Sequence, residues 1–167
     1  MSLPDYPAAR YHGAGGEVSA VIRRADQAPE LEMGPGGSQV SYLATSGSTG
    51  GEFGLYRWDF TGPRSGPDPH FHRTVSESFF VLSGTVRLYD GRQWTDARAG
   101  DYLFVPEGGI HGFRNESGEP ASMLLLFAPG AAREGYFEGL AQWALSGERP
   151  DEHEQAQFML RHDNIWI

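Results

Sequence analysis

Residues 67–115 read PDPHFHRTVSESFFVLSGTVRLYDGRQWTDARAGDYLFVPEGGIHGFRN. Short runs of β-branched and aromatic residues are separated by Ser83-Gly84, Asp90-Gly91, Ala99-Gly100-Asp101 and Gly108-Gly109, the pattern of strands joined by tight turns. Three imidazoles and one carboxylate, His70, His72, Glu77 and His111, fall within it. On a strand, residues i and i+2 point the same way, so His70 and His72 share a face and Phe71 takes the other. Two imidazoles on one pleat are a two-point platform for a divalent metal. Glu77, beyond a short turn, is placed to reach the same point, and His111, from a separate strand, closes the set. Three nitrogens and one oxygen suit Fe, Mn, Ni, Zn or Cu better than Mg or Ca. Binding needs neutral imidazole, so acid should release the metal.

Upstream of this stretch, residues 1–16 form an irregular arm, and residues 18–24 are expected to be a short strand. Residues 39–45 read as a strand. In residues 53–60, Tyr56, Trp58 and Phe60 share one face, while Phe53, Leu55, Arg57 and Asp59 share the other. A rigid Pro/Gly loop then leads to His70. Residues 77–82 and 85–90 are expected to pair as a hairpin across Ser83-Gly84. Weaker strands follow at 93–97, 102–105 and 110–115. Residues 121–128 are apolar enough to be buried on both faces.

After Pro129-Gly130 the period changes. Tyr136, Phe137, Leu140, Trp143 and Ala144 lie at helical spacing over residues 131–146, with Gly147 as a stop. Pro150-Asp151-Glu152 starts a second helix, to about Arg161, expected to bury Ala156, Met159 and Leu160. Residues 164–167 form a tail, read as a docked strand. Strands first and helices last imply an all-β barrel or sandwich with a helical appendage.

The 167 residues suggest one domain, large enough to bury a core. Without cysteine there is neither a disulfide framework nor a thiolate metal site. The net charge of −9, with no basic cluster, makes the chain a poor candidate for phosphate-backbone recognition, so no nucleic-acid partner is expected. No apolar run spans a bilayer and residues 1–10 lack a signal pattern, so no membrane association and a cytoplasmic location are expected.

The run His70-Phe-His72, four residues, Glu77, six residues, Gly84 resembles the first cupin motif. The run Gly100, five residues, Pro106-Glu-Gly108, two residues, His111, three residues, Asn115 resembles the second, and fifteen residues separate the two. The resemblance implies a small antiparallel double-stranded β-helix, a jelly-roll barrel, binding one divalent metal through His70, His72, Glu77 and His111. The whole chain, 1–167, is then a single cupin domain. Its barrel core is 38–129, with motifs at 70–84 and 100–115, and its helical appendage is 130–167. The motif's opening glycine is replaced by Arg64. Gly62 and Gly66 flank it, so a changed turn and an intact site are expected. A looser resemblance, through residues 53–60, Phe79-Phe80-Val81-Leu82 and Phe127-Ala-Pro-Gly130, is to quercetin-dioxygenase-like single-domain cupins. Similar cupins act as polyketide cyclases.

By alternation from the ligands, Phe79 and Val81 should point inward with Glu77, and Phe113 with His111, as pocket residues. One face of the 53–60 strand and one of Met123/Leu125/Phe127 should line the same cavity. Glu107 and Arg114 read as solvated charges, Asn115 as a turn hydrogen-bonder, and His12, His153 and His162 as surface residues. The expected function is a metal-dependent dioxygenase acting on an aromatic or enolic, flavonol-like small molecule, with Glu77 as ligand and general base. The alternatives are a cyclase or isomerase using the metal as Lewis acid and a non-catalytic binding module. Exposed strand edges, residues 53–60 and the first helix suggest a homodimer.

Overall fold

The computed structural model describes residues 6–147 and 149–167. Residues 1–5 of the expected arm lie outside it. The strands are β1 (Leu31–Glu32), β2 (Gln39–Ala44), β3 (Gly54–Phe60), β4 (His70–Phe71), β5 (Ser76–Ser83) and β6 (Thr85–Tyr89). They continue with β7 (Trp94–Arg98), β8 (Tyr102–Val105), β9 (Gly112–Arg114) and β10 (Ala121–Ala128). Two helices, α1 (Glu134–Ser146) and α2 (Glu152–Arg161), precede a last strand, β11 (Ile165–Trp166). A six-stranded sheet runs β1-β2-β3-β10-β5-β8 and a three-stranded sheet β7-β6-β9, while β11 pairs with β4. This is the expected all-β jelly roll with C-terminal helices.

The alternating burial of β3 settles which face turns inward: Tyr56, Trp58 and Phe60 are buried, while Leu55, Arg57 and Asp59 are half-buried. Its aromatic rings meet edge-on with Phe137 of α1, at 5.1 Å from Tyr56 and 5.4 Å from Trp58. Such contacts add to the free energy of burying the rings. β10 lies between β3 and β5. Met123, Leu125 and Phe127 fill the core, but Leu124 and Leu126 are only half-buried, so the strand has one fully buried face and not two.

Two sequence expectations change here. Residues 18–24 form no strand: Val18, Val21 and Ile22 are exposed and no neighbouring strand offers a ladder. Strands β5 and β6 do not pair, because the chain crosses from one sheet to the other at Gly84. There φ is +70°, and a Cβ would lie 2.6 Å from the Pro120 carbonyl oxygen, so the corner admits only glycine. The hairpin turn in this region is instead Asp90-Gly91, between β6 and β7.

Both helices stop and start as their sequences require. Gly147 caps α1 in the left-handed conformation, and Asp151 with Glu154 forms a reciprocal capping box on α2. The buried face of α2 is rotated from the expected one. Phe158 and Met159 are buried, while Ala156 and Leu160 are exposed, because Phe158 packs on Trp143 at 4.5 Å. The tail docks as a strand.

Candidate metal centre

His70 opens β4 and His72 follows its end, on either side of Phe71, and both are buried. His111 joins them through a two-way backbone bridge, His70 N–H to His111 O and His111 N–H to His70 O, each at 2.9 Å. Glu77, near the start of β5, reaches in from the other side. One ligand atom from each of the four residues lies within 4.8 Å of all the others.

The hydrogen bonds fix the imidazole tautomers. Nδ1 of His70 meets the Asp68 carbonyl oxygen at 2.9 Å, Nδ1 of His72 that of Asp163 at 2.6 Å, and Nδ1 of His111 that of Gly109 at 2.9 Å. A carbonyl only accepts, so each Nδ1 carries a proton and each neutral ring has its lone pair at Nε2. Nε2 of His72 and of His111 lie 3.1 and 2.8 Å from Oε2 of Glu77. Neutral rings would place lone pairs against a buried carboxylate oxygen, which is repulsive unless a proton or a cation lies between them. A divalent cation satisfies all four groups at once, and the backbone carbonyls hold the rings in the orientation it needs. The residues present therefore fit a transition metal.

The protonation states match this in part: Glu77 and His70 stand in their metal-binding forms, whereas a proton shared with Glu77 occupies the His111 contact and must leave when a cation takes its place. Burial alone would raise the Glu77 carboxyl, but hydrogen bonds from His111 and His72 hold it well below the usual carboxylate range. Burial, reinforced by the charge of His111, pushes His70 down to about 4. Burial also lowers His111, but its hydrogen bond to Glu77 outweighs that and leaves the ring above its ordinary value. An ionised Glu77 and a neutral His70 are the forms that ligate metal.

A cavity of about 420 Å³ reaches His70 and Glu77 from outside the barrel. Trp58, Phe113, Leu125, Phe127, Phe137 and Trp166 are among its lining residues, so its wall is largely apolar and carries several aromatic rings. Phe113 lines this cavity. Phe79 and Val81 do not: both are wholly buried, and the Phe79 ring packs on His111 at 5.8 Å and Phe113 at 5.7 Å. They do sit inside the barrel, as alternation requires, but at a depth filled by other side chains. Arg64 stands at the rim, paired with Glu116 at 3.0 Å. Gly66 makes the altered turn possible, since a Cβ there would lie 2.0 Å from the Phe113 carbonyl oxygen.

Glu107 is exposed, but Arg114 is half-buried, stacked 4.5 Å over Trp94 and paired with Asp68 at 2.7 Å. Asn115 holds the following turn through Glu119 and Ser117. His12 and His153 are exposed. His162 is half-buried, its ring 4.6 Å from Phe158.

The residues that sequence reasoning missed come from the appendage. Arg133, Tyr136, Met159, Asn164 and Trp166 all line the cavity. Asp163 is bound to His72 and, through its carboxylate, to the N–H groups of Arg73 and Thr74. No motif marks these positions. Arg133 carries a faint signal, a cation at the positive end of a helix with no carboxylate in its own turn to answer it except Glu134.

A family model described as a cupin domain matches residues 60–127, which contain all four clustered residues. Over 61 residues the chain is 36% identical to an uncharacterized protein of Aquifex aeolicus, a match covering 36% of this chain and 50% of that protein. The chain thus spans about half the length of that relative. Over 100 residues it is 30% identical to an uncharacterized protein of Streptomyces coelicolor, covering 60% of this chain and 90% of that protein. Among solved structures, the polyketide cyclase RemF of Streptomyces resistomycificus is similar in fold. Its TM-score is 0.53 at 23% identity, over 66% of this chain and 79% of that one.

Proposed function

The chain belongs to the cupin superfamily, and on that premise we propose that it is a metal-dependent dioxygenase acting on an aromatic or enolic small molecule of flavonol type. The observation that carries the proposal is the largely apolar cavity, with several aromatic rings in its wall, reaching the His/Glu cluster, because an apolar wall with a few convergent polar groups selects a ring-bearing ligand. When bound, the metal lowers the cost of deprotonating a phenol or enol that reaches it.

The chain's own residues do the rest. Oε2 of Glu77 takes both histidine contacts, and Oε1 accepts no hydrogen bond among the described residues, so Oε1 is the oxygen left to receive the substrate proton. Trp58, Phe113 and Phe127 orient the ring and exclude water from the acidic oxygen. The same residues would serve an oxygen-independent cyclisation, the reading favoured by the likeness in fold to RemF.

The test is elemental analysis of untagged protein followed by oxygen uptake with quercetin. The proposal expects one metal per chain and oxygen consumption that vanishes in His72→Ala. Bound metal with substrate conversion but no oxygen uptake would give way to the cyclase reading. Metal-free protein that takes up none of Fe, Mn, Ni, Zn or Cu would overturn both.

A further inference from the structure

Arg133 lies just before α1, outside the motif region, and only 4% of its surface is exposed. Its guanidinium donates from one terminal nitrogen to the His162 carbonyl oxygen at 2.6 Å and from the other to Oδ1 of Asn164 at 2.9 Å. Its Nε–H has no acceptor. Among the described residues no carboxylate pairs with it. Glu134, the acid next to it, is bound instead to the Tyr56 hydroxyl at 2.7 Å. The guanidinium sits over aromatic faces, 4.4 Å from the ring centre of Tyr136 and 5.0 Å from that of Phe127. All of these except His162 and Glu134, with Arg133 itself, belong to the cavity wall or the core around it.

This is an expensive place for a cation. Buried charges are ordinarily paired, and the N-terminus of a helix repels positive charge. If Arg133 only tied α1 to the tail, a neutral amide could make both hydrogen bonds without burying a charge. Glu77 is the only buried carboxylate among the described residues, and it is already committed to His72 and His111. With a divalent cation at the cluster the cavity holds excess positive charge. The indole N–H of Trp58, another cavity residue, also lacks an acceptor. The wall thus offers donors and positive charge beyond what the protein satisfies.

We infer that Arg133 anchors an acidic oxygen group of the substrate, a carboxylate carried on an aromatic ring, while the ring occupies the cavity between Arg133 and the metal cluster. The inference rests on the reading of this cavity as the substrate site and narrows its substrate from flavonols, which carry no carboxylate, to phenolic or enolic molecules that bear one. The planar guanidinium matches a carboxylate with two parallel donors, which an ammonium does not.

The test is the binding of two probes of equal shape, benzoate and benzamide, to metal-loaded protein, read by quenching of tryptophan fluorescence and by calorimetry. Wild type should prefer benzoate by roughly tenfold or more. Arg133→Met, which keeps the apolar stem, should lose that preference while retaining benzamide binding and metal content. A benzoate preference that survives in Arg133→Met would place the anchor at the metal and overturn the inference. Equal binding of the two probes by wild type would also overturn it. Circular dichroism checks that the variant folds. If it does not, Arg133→Lys decides: a several-fold loss of benzoate preference supports the fork, and an unchanged preference refutes it. Metal content is measured on every sample. Protein that binds no metal would count against the proposed function, whereas the probe comparison reads Arg133.

Discussion

The carbonyl oxygen of Asp163 accepts the Nδ1–H of His72 at 2.6 Å, so a residue between the last helix and the last strand orients a member of the candidate metal cluster. The Asp163 carboxylate meanwhile accepts from the N–H of Arg73, the N–H of Thr74 and the Thr74 hydroxyl. Its φ is +54°, a conformation that Asp tolerates better than most residues. Asp163→Ala should therefore lower Tm by roughly 5 °C and weaken metal binding about tenfold or more. Asp163→Asn should do less of both. Thermal melts and competitive metal titrations check this. A fall in Tm with unchanged metal affinity would show that the Asp163 side chain holds the loop but is not needed to place the Asp163 carbonyl against His72.

Removing a ligand should remove the metal. His72→Ala is expected to purify with little metal, measured by elemental analysis, because three ligands remain and one of them, Glu77, loses a hydrogen-bond partner. Full occupancy in that variant would remove His72 from the site.

Glu77→Gln separates ligand from base. With metal content matched to wild type, turnover of an accepted phenolic or enolic substrate should fall by about 10²-fold or more if Oε1 takes the proton. Unchanged turnover at equal occupancy would leave Glu77 as a ligand only.

Burial pushes the Tyr136 hydroxyl up to about 12, whereas an exposed tyrosine ionises near 10. Between those values the unfolded chain gives up a proton that the folded chain keeps. The stability that Tyr136 contributes is thus fully present below pH 10 and is lost as pH rises toward 12. Tm measured from pH 9 to 11 should fall, and Tyr136→Phe should flatten part of the fall. Tyr42 and Tyr56, both also raised by burial, account for the remainder. An identical slope in Tyr136→Phe would contradict the assignment.

The expected homodimer needs a different surface from the one the sequence suggested. β3 is flanked by β2 and β10 and offers no free edge. β8 ends the six-stranded sheet, and Tyr102 and Phe104 on it are exposed beside Phe80 of β5. A second copy pairing there would cover both the edge and the aromatic side chains. Light scattering should give a dimer mass for wild type and a monomer mass for Phe104→Lys. A concentration-independent monomer for wild type would end the proposal.

The sequence made the ligand cluster legible because its spacing is local: His70 and His72 share a pleat, and the motif glycines mark the turns around them. Capping residues placed both helices, since Gly147 and Asp151 act on their own backbone. What was not legible depends on contacts distant in sequence. Alternation put Phe79 and Val81 inside the barrel but could not say where the cavity stops and packing begins. Gly84 looked like a hairpin turn because a sheet-to-sheet corner uses the same residue for the same positive φ. Arg133 carried only a faint signal because the histidines, the aromatic rings and the tail that give it meaning lie on other elements.

β4 meets β11 at only two positions, Phe71 with Ile165 and His70 with Trp166, and the His72–Asp163 contact spans 91 positions of chain. A ladder that short, closed over so long a loop, is expected to form late in folding and to open before the barrel does. Amide hydrogen exchange should find Phe71 and Trp166 far less protected than the β3–β10–β5 ladder. Opening the β4–β11 clasp would release Trp166 from the cavity wall and loosen His72 in one movement. One wall of the cavity and the orientation of His72 thus depend on the same short clasp, so they slacken together.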